Sequence, residues 1–166
     1  MVHIRPGKPH DLPQVLALIQ ELAVYEKAGD QVTNTVAQME LDGFGENPVY
    51  GLFVAETSSE IVGIAIYYYR YSTWKGKWLY LEDIVVTEAC RGQGIGKQLF
   101  DQVIEKGLST ACTGMMWQVL DWNTPAINFY KKYYAPVFES EWMNCKLSRE
   151  TMMAAIATSA EDAPSC

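Results

Sequence analysis

The feature that most constrains this chain is a three-part unit near its middle. An apolar run at residues 78–86 leads into the glycine-rich segment Arg91-Gly92-Gln93-Gly94-Ile95-Gly96-Lys97. From Ile95 to Gly107 the apolar residues Leu99, Val103 and Ile104 then recur at helical spacing. A strand that turns through glycines into a helix exposes successive backbone N–H groups at the positive end of the helix dipole. The missing side chains let an anion approach the main chain. Two common phosphate loops do not fit. A Walker A loop needs Gly at 91 and Ser or Thr at 98, where the chain has Arg91 and Gln98. A dinucleotide fingerprint begun at Gly92 needs glycine where Lys97 stands. The pattern that does fit is R-x-x-G-x-G over residues 91–96. Taken alone, it leaves open a glycine turn that merely redirects the chain.

The surrounding pattern fixes the architecture. Residues 2–5 alternate as a short edge strand, broken by Pro6 and Pro9. From Asp11, the residues Leu12, Val15, Leu16, Ile19, Leu22 and Ala23 mark one face of a helix ending near Tyr25–Glu26. A weaker helix spans 33–41 and is closed by Gly43 and Gly45. Residues 49–55 and 61–71 form a hairpin, and 78–86 a third strand carrying the adjacent acids Glu82 and Asp83. A strand at 115–120, a helix at 124–132 and one or two strands at 137–147 follow. The Ala/Ser/Thr-rich tail from Arg149 is expected to fray. This order predicts an α/β (α+β) domain over residues 1–148 with a mixed sheet, which the family resemblance given below makes mostly antiparallel and flanked by helices, and a tail at 149–166 partly disordered.

Charge and cysteine usage narrow the function. Thirteen Lys+Arg against twenty Asp+Glu give a net charge of −7 in 166 residues. That argues against nucleic acid and favours cationic partners. Cys90, Cys112, Cys145 and Cys166 show no C-x-x-C spacing, and both histidines, His3 and His10, are N-terminal. No metal site is expected, and reduced thiols fit a cytoplasmic protein. Arg5 and Lys8 precede no apolar core of a signal peptide, and no run reaches the ~18 apolar residues of a membrane span.

The loop and its setting resemble the GNAT superfamily of acetyl-CoA-dependent N-acetyltransferases. Asp42-Gly43-Phe44-Gly45-Glu46, Leu79-Tyr80-Leu81-Glu82-Asp83 and Asn128-Phe129-Tyr130-Lys131 resemble its diamine acetyltransferase family, which includes spermidine/spermine acetyltransferases. Tyr71-Ser72-Thr73-Trp74-Lys75-Gly76 and Val119-Leu120-Asp121-Trp122-Asn123 are most similar to its thialysine N-epsilon-acetyltransferase branch. The resemblance covers about residues 3–147. It implies a GNAT fold, acetyl-CoA as donor, a small-molecule amine as acceptor and a homodimer, for which 137–147 is the pairing element.

By the same resemblance, the amides of Gly92, Gln93, Gly94, Ile95, Gly96 and Lys97, with the side chains of Arg91 and Lys97, hold the cofactor's diphosphate. The backbone of Ile84, Val85 and Val86 pairs with its pantetheine amides. Asn123, Thr124, Pro125 and Ala126 flank the same arm, and an N–H near Ile84 is the oxyanion donor. Alkyl amines have a pKa near ~10, so the acceptor must lose a proton and the departing thiolate must gain one. Tyr130 is the expected acid and Glu82 the expected base, directly or through a water. Glu82 carries its own signal, because a carboxylate in an apolar strand needs a partner or a task. Strand alternation places Asp83 on the opposite face. Tyr25, Glu26, Glu82, Met116, Trp117, Gln118 and Glu141 match positions lining the amine site, with Trp142 beside them.

Two departures matter. Ser72-Thr73 stand where polyamine-acting relatives carry Asp-Pro, which removes an anchor for a distant second ammonium and favours short amines. Tyr133-Tyr134 stand where relatives have Arg and Gly, which puts the local loop in question. Two other readings stay open on sequence alone: a GNAT enzyme acting on a protein lysine or N-terminus, and a CoA-binding module without activity.

Overall fold

The computed structural model describes residues 2–58 and 60–161, with side chains described as far as residue 157. The chain divides into two compact units between Val119 and Leu120, and the boundary expected at 148/149 falls within the second.

The first unit is built on a five-stranded sheet, ordered β1 (His3–Pro6), β2 (Gly51–Glu56), β3 (Ile61–Ser72), β4 (Gly76–Val86) and β5 (Gly114–Trp117). Its first three junctions are antiparallel and the β4–β5 junction is parallel. The parallel pair is joined through α3 (Ile95–Ser109), as a crossover connection requires. Two further helices precede the hairpin: α1 (Leu12–Tyr25), opened by Pro13 in its first turn, and α2 (Val36–Phe44), capped by Thr35, whose hydroxyl accepts the Gln38 N–H. The expected elements are present over this unit, with ends shifted by a few residues. β5 is the main exception, stopping at Trp117 rather than 120.

Alternation along β3 divides the core. Ile64 and Ile66 join Leu12, Val15 and Leu18 of α1 and Met39 of α2 in one buried cluster. Gly63, just before Ile64 and on the opposite face of the strand, receives α3: a Cβ there would lie 3.1 Å from both the Leu99 side chain and the Val85 carbonyl. Helix α3 buries Leu99, Phe100 and Val103. The sheet is thus flanked by helices, and β4 is held from both faces.

The buried carboxylate Asp11, not foreseen from sequence, pins the N-terminus. It accepts two bonds from Arg5, at 2.7 and 2.9 Å, and the Lys8 N–H at 2.8 Å. Those donors hold its carboxyl below the usual range despite burial.

The second unit contains α4 (Thr124–Tyr133) and α5 (Arg149–Glu161). The strands expected at 137–147 are absent: residues 135–148 form neither helix nor strand. An alternating apolar pattern is only half of a strand, which also needs a neighbouring ladder, and none pairs with this segment among the described residues. Of the tail expected to fray, residues 149–161 are helical, and 162–166 lie outside the described residues. The start of this helix was legible, because Ser148 acts as the cap, its hydroxyl accepting the Thr151 N–H at 3.1 Å. At the end of α4, Ala135 adopts a left-handed φ of 44°. The left-handed residue follows Tyr133-Tyr134, the departure that put this loop in question, while Tyr134 itself has an ordinary φ of −131°.

Candidate functional site

The glycine loop leaves β4 through a single helical turn, Glu88–Cys90. Gly92 and Gly94 have φ of +77° and +78°, which side-chain-bearing residues avoid, and a Cβ on either would meet nothing within 4 Å. The glycines are therefore demanded by the backbone turn, and the space over it is open. Among the described residues, the N–H groups of Gly92, Gln93 and Gly94 donate to no group. The first amides of α3, from Ile95 onward, are those a helix cannot satisfy internally. The result is a row of main-chain donors at a helix N-terminus.

The two cations expected to reach a phosphate are otherwise engaged. Arg91 donates from Nε to the Val86 carbonyl at 2.9 Å. The Lys97 ammonium lies 2.6 Å from Asp101, one turn along α3. The loop's offer to an anion is chiefly its amides.

Strand β4 changes character at Glu82. Residues Trp78 to Leu81 pair with β3 on one side and with β5 on the other. Beyond them, Ile84, Val85 and Val86 pair with Ala65, Ile64 and Gly63, but their second edge has no ladder partner among the described residues. At the transition the register shifts: Leu81 faces Tyr67 and Asp83 faces Ile66, leaving Glu82 as the extra residue of a β-bulge.

The bulge corrects two expectations. Glu82 and Asp83 do not divide between opposite faces, because both line one cavity of about 310 Å³. Nor is Glu82 the buried carboxylate; it is exposed, and Asp83 is the half-buried one. Burial, then the charges of Glu82 and Glu26, push the Asp83 carboxyl up to about 6. Burial also raises Glu26. Glu26, Glu82 and Asp83 are thus brought into electrostatic contact. Asp83 was missed as a site residue because strict alternation ignored the bulge. The apolar wall is Leu16, Ile19, Met39, Val49 and Ile66; Asn34, Tyr50 and Tyr68 complete the lining. Tyr50 gives its hydroxyl to the Met39 carbonyl at 2.7 Å. Tyr68 stacks on Tyr80 at 5.0 Å, and burial and the Glu82 charge raise both phenols.

The other expected acceptor residues disperse. Tyr25, at the end of α1, lies under the Arg91 guanidinium at 5.5 Å. Trp117 packs edge-on against Phe100 at 5.1 Å, a core contact. Met116 accepts a bond from Arg70 through its sulfur, and Gln118 lies beyond the strand end. None of Met116, Trp117 and Gln118 lines the cavity.

In the second unit, Asn123 caps α4, its side-chain oxygen accepting the Ala126 N–H at 3.3 Å, with Thr124, Pro125 and Ala126 in the first turn. Tyr130, on the same helix, is buried beside Phe129, with ring centres 5.3 Å apart. Glu141 and Trp142 are exposed in the segment without regular structure.

This arrangement defines a class: a main-chain anion cradle on a strand–loop–helix unit, beside an open strand edge and a carboxylate-lined cavity. The chain belongs to the GNAT acetyltransferase family, whose model matches residues 16–134 and so spans both units. It is 43% identical over 153 residues to a thialysine N-epsilon-acetyltransferase of Bos taurus, covering 87% of this chain and 90% of that protein. It is 36% identical to a spermidine/spermine N(1)-acetyltransferase-like protein of Homo sapiens, covering 90% of this chain but 23% of that longer one. Among solved structures, an aminoglycoside acetyltransferase from an uncultured soil sample shares the fold, with a TM-score of 0.72 at 18% identity over 89% of this chain and 95% of that one.

The protein is therefore an N-acetyltransferase, and its acetyl donor, as in the family, is acetyl-CoA. The residues present fit that donor. The unspent amides of 92–94 suit a diphosphate, and the unpaired edge of Ile84–Val86 suits a ligand bearing amide groups.

Proposed function

We propose that this enzyme acetylates the primary amine of a small molecule, an amino acid such as thialysine or a short diamine or polyamine, by direct transfer. The observation that carries this reading is the bulge at Glu82, which gathers two carboxylates on one cavity within the field of a third. Such a site attracts an ammonium group and stabilises it by charge pairing in a partly dehydrated setting. Asp83 and Glu26 hold the cation. Glu82, the most accessible of the three, takes its proton, through a water where the nitrogen is out of reach. The aliphatic part of the acceptor lies along Leu16, Ile19 and Met39. A volume near 310 Å³ is at the small end for ligand pockets and favours short acceptors.

Acetyl-CoA, when bound, supplies a thioester carbonyl activated toward an amine. The chain's own part is to hold and to move protons. Amides of residues 92–97 and the dipole of α3 hold the diphosphate, with Arg91 and Lys97 as flanking charge. The backbone of Ile84 to Val86 aligns the thioester arm. The Tyr130 hydroxyl protonates the departing sulfur, a role supported by its place in the Asn-Phe-Tyr segment shared with the diamine acetyltransferases. The same kinship supports a homodimer and a cytoplasmic setting. Exposed Val137, Trp142 and Met143 are available for pairing between copies, and no described helix is long and apolar enough to cross a membrane.

The test is acetyl-CoA turnover across thialysine, lysine, ornithine, putrescine, spermidine and a lysine-bearing peptide. The expected result is highest kcat/KM for the amino acids or the short diamine. Preference for the peptide overturns the reading, and CoA binding without turnover on any acceptor reduces the protein to a binding module.

A further inference from the structure

Among the described residues the main-chain N–H groups of 92–94 donate to no group, yet the cofactor loop must present them in a fixed direction. On its C-terminal side, Ile95 and Leu99 anchor it in the core. On its N-terminal side, the Thr87 N–H donates to the Val62 carbonyl of β3 at 2.9 Å, and beyond that bond a carboxylate of α1 ties the link down. Glu21 of α1 accepts the Thr87 hydroxyl at 2.9 Å and the Glu88 N–H at 3.0 Å, and lies 3.5 Å from the Arg91 guanidinium. Its three donors all come from the link between the open edge of β4 and Gly92.

We propose that Glu21 is a positioning residue for acetyl-CoA, acting through Thr87, Glu88 and Arg91 on the aim of the glycine loop and of the Val86 end of β4. The proposal rests on the reading of that loop as the diphosphate cradle. The ion pair itself is half-exposed and contributes little. The geometric effect is larger, because the other hydrogen bonds of residues 88–91 run within the link itself, whereas Glu21 ties its backbone and hydroxyl donors to α1. It also accounts for an acid close to a phosphate site: its charge is met by Arg91, which in turn bonds the Val86 carbonyl. Tyr25 stands four residues on from Glu21, on the same face of α1, and meets the same guanidinium. One turn of α1 thus braces the cofactor loop.

The experiment compares Glu21→Ala and Glu21→Gln with the wild-type enzyme, measuring CoA affinity by calorimetry and kinetics with the best amine of the panel. For Glu21→Ala, the CoA Kd and the acetyl-CoA KM rise about tenfold, as expected for lost bonds to a charged acceptor, while kcat and the amine KM stay within about twofold. Glu21→Gln, which keeps one oxygen acceptor, recovers part of the affinity. Thr87→Val, which removes one donor from the other side, gives a smaller rise in the same two quantities and serves if Glu21→Ala fails to fold. Unchanged CoA affinity overturns the proposal, as does a parallel shift of kcat and both KM values. The outcomes separate from those of the substrate reading: an enzyme that binds CoA but acetylates no amine on the panel still reports on Glu21 through Kd, whereas a wild-type chain that does not bind CoA defeats the cradle itself.

Discussion

The two halves of strand β4 run in one continuous strand and meet opposite fates. Up to Leu81 the strand is paired on both edges, with Leu79 and Leu81 almost fully buried. From Asp83 to Val86 it keeps one partner, and among the described residues its second edge has none. Both halves carry strand-forming apolar residues, Trp78 to Leu81 in the first and Ile84 to Val86 in the second, which opens on the acids Glu82 and Asp83. What separates them is one extra residue, the bulge at Glu82, together with the early end of β5. The first half spends its backbone groups on the sheet. The second keeps some unspent, next to a loop with three more free amides. Function begins where the ladder stops.

Substitutions on either side of the bulge test that division. The largest effect is expected at Glu82. Glu82→Gln should lower kcat by about 10²- to 10³-fold, the usual worth of a general base, with an unchanged melting temperature because the side chain is exposed. An unaltered kcat removes Glu82 as the base. In the paired half, Leu79→Ala should cost about 2–4 kcal/mol of stability, read by denaturant unfolding, while the folded fraction retains its KM values. A change in acceptor KM without loss of stability would break the comparison.

The smaller effect is at Asp83. Its folded-state carboxyl is raised to about 6, so the folded protein binds a proton more tightly than the unfolded chain does. This group's contribution is fully present below about pH 4 and is lost as pH rises through 6. Asp83→Asn should therefore gain roughly 3 kcal/mol relative to wild type above pH 7 and little near pH 4, measured as unfolding free energy at the two pH values. The same variant should weaken amine binding at neutral pH and flatten the rise in amine KM that wild type shows as pH falls through 6. Equal stability differences at both pH values would deny that Asp83 is ionised at a cost.

Much of this was legible in the chain before its structure. The i, i+3, i+4 spacing marked α1 and α3, and the Arg91–Gly96 pattern marked the turn with its two left-handed glycines. Legibility failed where a residue's meaning depended on a neighbour far along the chain. Alternation separated Glu82 from Asp83, but a register shift against Ile66 and Tyr67 put both on one cavity. The burial signal in that strand was real and belonged one residue later. Trp117 resembled a site residue and is committed to Phe100. Residues 137–147 carried a strand pattern without a ladder to complete it. Glu21, a surface acid by its spacing, acquires its role only when the β4–α3 link folds across α1.

The central claim is that main-chain donors of the glycine loop and of the open β4 edge receive acetyl-CoA. Amide proton resonances followed during titration with CoA test it directly. The account predicts that Gly92, Gln93 and Gly94 shift strongly and gain exchange protection together with residues between 82 and 86, while Leu79 and Leu81 do not move. Saturable CoA binding with those loop amides unperturbed would contradict it.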